Sequence, residues 1–189
     1  MSEGKRYGVI VADPPWMYGG RPDVEGASSW EYDSLSTERI AGINVADFAA
    51  RDCILLLWST WVQLPSAFTV GCDWGFKYVT GFPWVKATDM QSSLWGGLQA
   101  RVQYGIGWWV RGCSEALLVW RCGKVSPPTN HFMGLFSPNT GHSRKPNHIY
   151  EYAESLPGPY LEMFARRRWP GWDVWGEDIE SDITMEVPT

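Results

Sequence analysis

The residues of this chain best suited to chemistry are Asp13-Pro14-Pro15-Trp16, which follow the apolar run Gly8-Val9-Ile10-Val11-Ala12. Such a run reads as a strand buried on both faces of a parallel sheet. The carboxylate then stands at the strand's C-terminal mouth, where open α/β sheets place their ligands. An acid, two rigid prolines and an aromatic plate suit the methylation of a conjugated amine such as N6 of adenine. The lone pair of that amine is delocalised into the ring, which makes it a poor nucleophile. A carboxylate and a backbone carbonyl that accept its two N–H bonds favour a pyramidal nitrogen with the lone pair aimed outward. Prolines hold the carbonyls with few dihedrals left to fluctuate, and Trp16 can stack on the base. Taken alone, Asp-Pro-Pro also reads as a turn that ends a strand.

Three further blocks read as parts of the same site. His142-Ser143-Arg144-Lys145-Pro146 is a basic turn that feeds a helix, able to bind a carboxylate or a phosphate. In Leu161-Glu162-Met163-Phe164-Ala165-Arg166, an acid interrupts an apolar strand and so requires a partner or ligand. Trp175-Gly176-Glu177-Asp178 ends a strand in a glycine and two acids, a common acceptor arrangement for a ribose diol. Alone, the first and third blocks read as solvated loops.

The elements that must position these residues follow from periodicity and punctuation. Residues 17–33 form a long Gly- and Ser-containing loop without periodicity. Ser36 is placed to cap a short helix through Ile40, with Glu38 in its first turn. Cys53 to Ser59 reads as a second buried strand. Trp61, Leu64 and Phe68 recur at helical spacing, which predicts a helix to Gly75 with Pro65 near its start. Tyr78 to Val85 reads as a strand whose Pro83 marks an edge or a bend. Residues 88–112 read as a polar insert over the active site, 115–121 as a strand, and 123–141 as loop. Pro146 opens a helix to Ser155, and Tyr160 to Ala165 and Asp173 to Trp175 are the last two strands. Alternating strands and helices predict an α/β fold with a mostly parallel sheet and helices on both faces. No G-x-G-x-x-G follows any strand, so the usual dinucleotide fingerprint is absent.

Composition sets the outer bounds. The 189 residues suit one domain, residues 1–180, with 181–189 as a loose acidic tail. No signal peptide and no stretch long enough to cross a bilayer is present, which predicts a cytoplasmic protein without membrane contact. Cys53, Cys72, Cys113 and Cys122 form no C-x-x-C pair and read as reduced core residues, with no metal site. The net charge of −5 argues at first against nucleic acid. Five acids (Glu177, Asp178, Glu180, Asp182 and Glu186) lie beyond Gly176, and without them sixteen acids face sixteen bases. Basic clusters remain at Arg144-Lys145 and Arg166-Arg167-Arg168, so weak, salt-sensitive phosphate contact is expected. Most of the thirteen tryptophans read as structural, while the Gly-flanked Trp95 and the polar-segment Trp108 suit base stacking.

Together, in this order, the blocks resemble the methyltransferase family named after the seventy-kilodalton subunit of the messenger-RNA adenine methyltransferase. The resemblance runs from Val9 to about Asp178. It rests on Ala12-Asp13-Pro14-Pro15-Trp16, Leu57-Trp58-Ser59-Thr60, Trp84-Val85-Lys86, Glu115, the blocks at 142–146 and 161–166, and Gly171-Trp172-Asp173-Val174-Trp175-Gly176. It implies a Rossmann-like fold dependent on S-adenosylmethionine, with the catalytic strand before the cofactor strand in the chain. It also implies N6-adenine methylation of nucleic acid. By position, Asp13 and the Pro14 carbonyl would hold the amine, with Pro15 and Trp16 completing the catalytic motif. Asp13, Lys145, Glu162, Phe164, Arg166, Glu177 and Asp178 would meet the cofactor. Tyr32, Trp58, Glu115, His142, Ser143 and Arg144 would meet the substrate. Many members hold the cofactor's adenine with an Asp-bearing segment upstream of the catalytic strand. Only seven residues run to Tyr7 here, so that contact is expected to be missing or replaced. A Glu-Asp ribose pair stands where amide-containing pairs are common.

The expected activity is N6-adenine methylation of nucleic acid, DNA favoured over RNA, on a flipped or unpaired adenine. A compact bacterial or phage-type enzyme is expected, monomeric or homodimeric, without an obligate heteromeric partner. Two alternatives stay open from sequence: a catalytically silent nucleic-acid-binding or partner subunit, and methylation of a protein Gln or Asn amide.

Overall fold

The computed structural model describes residues 4–17, 34–92, 98–102, 109–128, 135–138 and 145–188. Its centre is β1 (Tyr7–Ala12), fully buried, where Val9, Ile10 and Val11 supply β-branched bulk to both faces. β2 (Ala49–Ser59) lies parallel on one side of it and β7 (Tyr160–Met163) parallel on the other, with β8 (Trp172–Trp175) parallel beyond β7. On the far side of β2 lie β5 (Ser114–Cys122), β3 (Lys77–Ser92) and β4 (Leu98–Val102), each antiparallel to its neighbour. β6 (Leu135–Pro138) pairs parallel with β3. The order is β4-β3-β5-β2-β1-β7-β8.

The sheet is therefore mixed, with parallel pairing around β1 and antiparallel pairing beyond β2. The cause is connectivity. Among the described residues no helix lies between β3 and β5, and strands joined without a crossover helix run antiparallel. Helices cover both faces as expected. α1 (Thr37–Ala41) and α2 (Leu64–Asp73) pack their Ile40, Ala67 and Val70 against Ile10, Ala12, Leu55 and Leu57. α3 (His148–Glu154) packs Ile149, Tyr150 and Ala153 against Val9, Val11, Ile54 and Leu56. Strand alternation sorts the two sets. Local signals hold at α1, where the Arg39 N–H donates to Ser36 Oγ at 3.3 Å, and at α2, where Pro65 occupies the first turn.

Several elements differ from the sequence reading. Residues 88–112 are not wholly an insert, since β3 runs on to Ser92 and forms a hairpin with β4. Its stability comes from backbone ladder bonds on a strand already in place, which polar residues satisfy without apolar alternation. β6 falls inside the expected loop 123–141, fixed where Trp84 Nε1 donates to the buried Ser137 Oγ at 2.8 Å. α3 starts at His148, two residues past Pro146, and β7 ends at Met163 because Phe164 takes φ 61°. Pro83 does sit on the stretch of β3 that pairs only with β5. Cys53 is the buried cysteine; Cys72 is exposed, and Cys113 and Cys122 are half-buried.

The C-terminal segment is docked rather than loose. Ile183, Met185 and Val187 alternate with polar residues and pack on the core, Met185 being 9 % exposed. The acids hid that alternation in the sequence. Among the described residues, no helix is long and apolar enough to cross a membrane, and no cluster of His, Cys, Asp and Glu could hold a metal ion.

Candidate active site

β1, β2, β7 and β8 are parallel, so their C-terminal ends share one edge of the sheet. β5 enters that edge antiparallel, with Ala116 opposite Ser59, and β3 brings Trp84 opposite Glu115. The chain leaves β1 toward β2 on one side and β7 toward β8 on the other. The gap between β1 and β7 is thus the topological switch point, where α/β sheets bind ligands. Asp13 stands at that gap, its N–H on Met163 O at 3.4 Å.

Asp13 divides two environments. On the α3 side, Lys145 Nζ donates to Asp13 Oδ2 at 2.7 Å and contacts Glu115 Oε2 at 3.2 Å, while Lys86 Nζ meets Glu115 Oε1 at 2.5 Å. Charges alternate along this chain from Asp13 to Lys86, on a floor made of Trp58 and Trp84. Lys145 Nζ lies 5.4 Å from the Trp58 ring centre, and Lys86 Nζ lies 5.0 Å from that of Trp84. Burial pushes the Asp13 carboxyl above the ordinary range, with Lys145 offsetting only part of it. Burial also opposes charge at Glu115, but Lys145 and Lys86 together outweigh it and hold that carboxyl low. The same two carboxylates hold Lys145 protonated against its own burial.

On the α1 side, a cleft of about 210 Å³ opens beside Asp13. Its far wall is the exit of β7 (Phe164, Ala165, Arg166) and of β8 (Trp175 to Asp178), joined where the Ala165 N–H donates to Trp175 O at 2.9 Å. Pro15, Leu35 and Val187 complete its apolar lining. The set fits a bound S-adenosylmethionine: a cation for a carboxylate, two acids for a diol, and apolar surfaces for the rest.

The structure brings Asp13, Pro15, Phe164, Arg166, Glu177 and Asp178 to one cleft. It joins Lys145, Glu115 and Trp58 to Asp13 from the other side. Pro14 O already accepts the Trp16 N–H at 2.9 Å, leaving one lone pair. Two expected roles change. Trp16 is only 6 % exposed, its Nε1 donating to Trp58 O at 3.1 Å, so it fixes the end of β2 rather than offering a free stacking face. Glu162 is not in the cleft. It faces α3, where Tyr150 Oη donates to its carboxylate at 2.9 and 3.0 Å, and burial raises its pKa to about 7. The partner that an acid in an apolar strand requires is therefore a phenol.

The Arg166-Arg167-Arg168 cluster is not free for phosphate as a unit. Arg167 donates to Asn147 Oδ1 at 2.9 Å and Lys145 O at 3.3 Å, which steadies the turn that carries Lys145. Arg168 is paired with Asp182 at 2.8 Å. Sequence reasoning missed Tyr150, gave Lys86 no site role, and read Arg167 only as part of a basic cluster. Lys86 left a signal, a cation within a strand block next to aromatic Trp84, whereas Tyr150 and Arg167 act through tertiary contacts alone. Tyr32, His142, Ser143, Arg144, Trp95 and Trp108 lie outside the described residues.

Relatives of this chain place the site in context. A type II methyltransferase, M.MunI of Mycoplasma sp, is 29% identical over 98% of this chain and 82% of its own length. The human N(6)-adenine-specific methyltransferase METTL4 is 29% identical over 93% of this chain, which spans 38% of that protein. The N6-methyladenosine RNA methyltransferase MTA1 of Cryphonectria parasitica is 28% identical over 94% of this chain and 53% of its own. The MT-A70 family model matches residues 7–178, from the first residue of β1 to the second acid at the mouth of β8. With its Rossmann-like α/β fold and the catalytic strand first, this chain belongs to the MT-A70 family of S-adenosylmethionine-dependent methyltransferases.

Proposed function

We propose that this N6-adenine methyltransferase acts on nucleic acid, with DNA favoured over RNA, and uses S-adenosylmethionine bound in the cleft between the exits of β1, β7 and β8. The observation that carries the reading is the position of Asp13, which lines that cleft and is bonded from the opposite side by Lys145. Arg166 would hold the cofactor's carboxylate, Glu177 and Asp178 its ribose hydroxyls, and Phe164 its apolar middle. When bound, the cofactor supplies a methyl group on a sulfonium centre.

Asp13 and the spare lone pair of the Pro14 carbonyl accept the two N–H bonds of the target amine and aim its lone pair at the cleft. Burial raises the proton affinity of Asp13, which suits it to receive the proton that the amine gives up. Lys145, charged and fixed by Glu115, keeps Asp13 oriented and stabilises its anionic form while the base is being placed. Trp58 and Trp84 form the floor beneath, and an adenine enters after leaving its stack. Alignment and electrostatics carry the rate enhancement.

The test is mass spectrometry of nucleosides after incubation with S-adenosylmethionine and unmethylated DNA or RNA in separate tubes. N6-methyladenine is expected, more in the DNA tube, and none with Asp13→Ala at unchanged cofactor affinity. Full activity of that variant overturns the assignment of Asp13, and product in the RNA tube alone overturns the preference.

A further inference from the structure

Residues 181–188 are held at both ends. The Asp182 carboxylate accepts Arg168 Nη1 at 2.8 and 3.0 Å and the Val174 N–H at 2.9 Å, and its own N–H returns to Val174 O at 2.9 Å. Arg168 Nη2 adds a bond to Glu180 O at 2.6 Å, and Ser181 Oγ bonds both the N–H and the carbonyl of Gly176. At the other end, Arg39 Nε of α1 donates to Pro188 O at 2.8 Å. The fit there is close, since a Cβ on Gly42 would stand 2.8 Å from Pro188 Cγ. A strap thus runs from β8 to α1, across the side of the molecule on which the cleft opens.

Between the clamps, Met185 is buried in the core, whereas Val187 is only half-buried and lines the cleft. On that reading the polar lining would be matched by the polar parts of the cofactor: Asp13 at the methyl-transfer end, Arg166 at the carboxylate, and Glu177 and Asp178 at the diol. What remains of the cofactor is a flat heterocycle, and the apolar lining left for it is Pro15, Leu35, Trp175 and Val187, of which Val187 alone is carried by the strap. A branched side chain held at a fixed height is a good surface for the face of such a ring, because it loses little rotamer freedom on contact. We propose that Val187 packs against the nucleobase of S-adenosylmethionine, with the strap from Asp182 to Pro188 serving as a wall of the cofactor site. This rests on reading the cleft as the cofactor site.

The experiment measures binding. S-adenosylhomocysteine is titrated calorimetrically into the full chain, Val187→Ser and Val187→Ile. Serine withdraws two methyl groups from the ring face and isoleucine keeps them, so Val187→Ser is expected to bind about tenfold more weakly and Val187→Ile within about twofold. On the unaltered chain with labelled valine methyls, intermolecular NOEs are expected from Val187 to adenine H2 or H8, a result independent of whether any variant folds. Binding by the unaltered chain without those NOEs, or with equal affinity in Val187→Ser, overturns the role of Val187 and leaves the cofactor reading intact. No binding by the unaltered chain overturns the cofactor reading itself.

Discussion

Lys145 is the ammonium that joins two half-buried carboxylates. Removing one partner of a largely buried ion pair leaves the other charge uncompensated, and Lys145→Met strands Asp13, while Glu115 keeps Lys86. Its unfolding free energy at pH 8 is expected to fall by about 3–5 kcal/mol, measured by urea denaturation. The loss should shrink at pH 5, where the stranded carboxylate takes up a proton. Glu162 gives a second pH signature of opposite origin. Its pKa is raised in the folded chain to about 7, above the ordinary 4.5, so the folded state binds the proton more tightly than the unfolded one. Stability therefore declines as pH rises from 4.5 through 7 and stays reduced above that. Glu162→Gln removes the penalty, and should be more stable than the unaltered chain at pH 8 by on the order of 2 kcal/mol and nearly equal to it at pH 4.5. A constant difference across that range would show that the carboxyl is not titrating there. The sequence disclosed Asp13, Glu115 and Lys145 as site residues, and the isolation of Glu162 in an apolar strand as a demand for a partner. It did not disclose that Tyr150 meets the demand, because a phenol on a helix ahead of the strand signals only packing.

At the scale of elements, the cleft depends on how closely the exits of β7 and β8 approach. A Cβ on Gly176 would stand 2.2 Å from the Ala165 carbonyl oxygen, and backbone cannot give way as a flexible side chain does. Gly176→Ala must push Glu177 and Asp178 away from Phe164 and Arg166, at a cost of about 2 kcal/mol in stability. We expect weaker S-adenosylhomocysteine binding by calorimetry with the secondary structure retained; unchanged affinity would mean that the two exits move independently of the ligand site. β1, β2, β5 and α2 were legible in the sequence because apolar period and punctuation agree there. The β3–β4 hairpin was not, since backbone ladder bonds hold its polar residues without apolar alternation, nor was the short β6, whose partner β3 is distant in sequence. The strap shows the converse error: Ile183, Met185 and Val187 carry a period of two, but the surrounding acids read as a solvated tail until Arg168 and the Val174 N–H are found to hold Asp182.

For the whole molecule, the net charge of −5 is joined by a reduction in the cations free to meet a polyanion. Lys5, Lys86, Lys145 and Arg168 form ion pairs, and Arg167 is spent on the turn at Asn147. Each phosphate neutralised by a protein steepens the fall of log K with log salt by about 0.9 on duplex DNA and about 0.7 on a single strand. We expect a slope no steeper than about −3 in anisotropy titrations of a labelled oligonucleotide at rising KCl, the mark of few phosphate contacts. A slope of about −6 would locate a basic surface that the described residues do not account for. Weak backbone contact has a catalytic consequence. Extruding an adenine from a matched duplex costs a few kcal/mol, and a molecule with little phosphate binding has little with which to offset it. Adenine that is mismatched or unpaired should then be methylated with a higher kcat/KM than the same base in a matched duplex, by about tenfold or more. Equal rates on the two substrates would mean that base extrusion is driven by contacts elsewhere in the chain, and that the charge chain beside Asp13 receives a base already delivered.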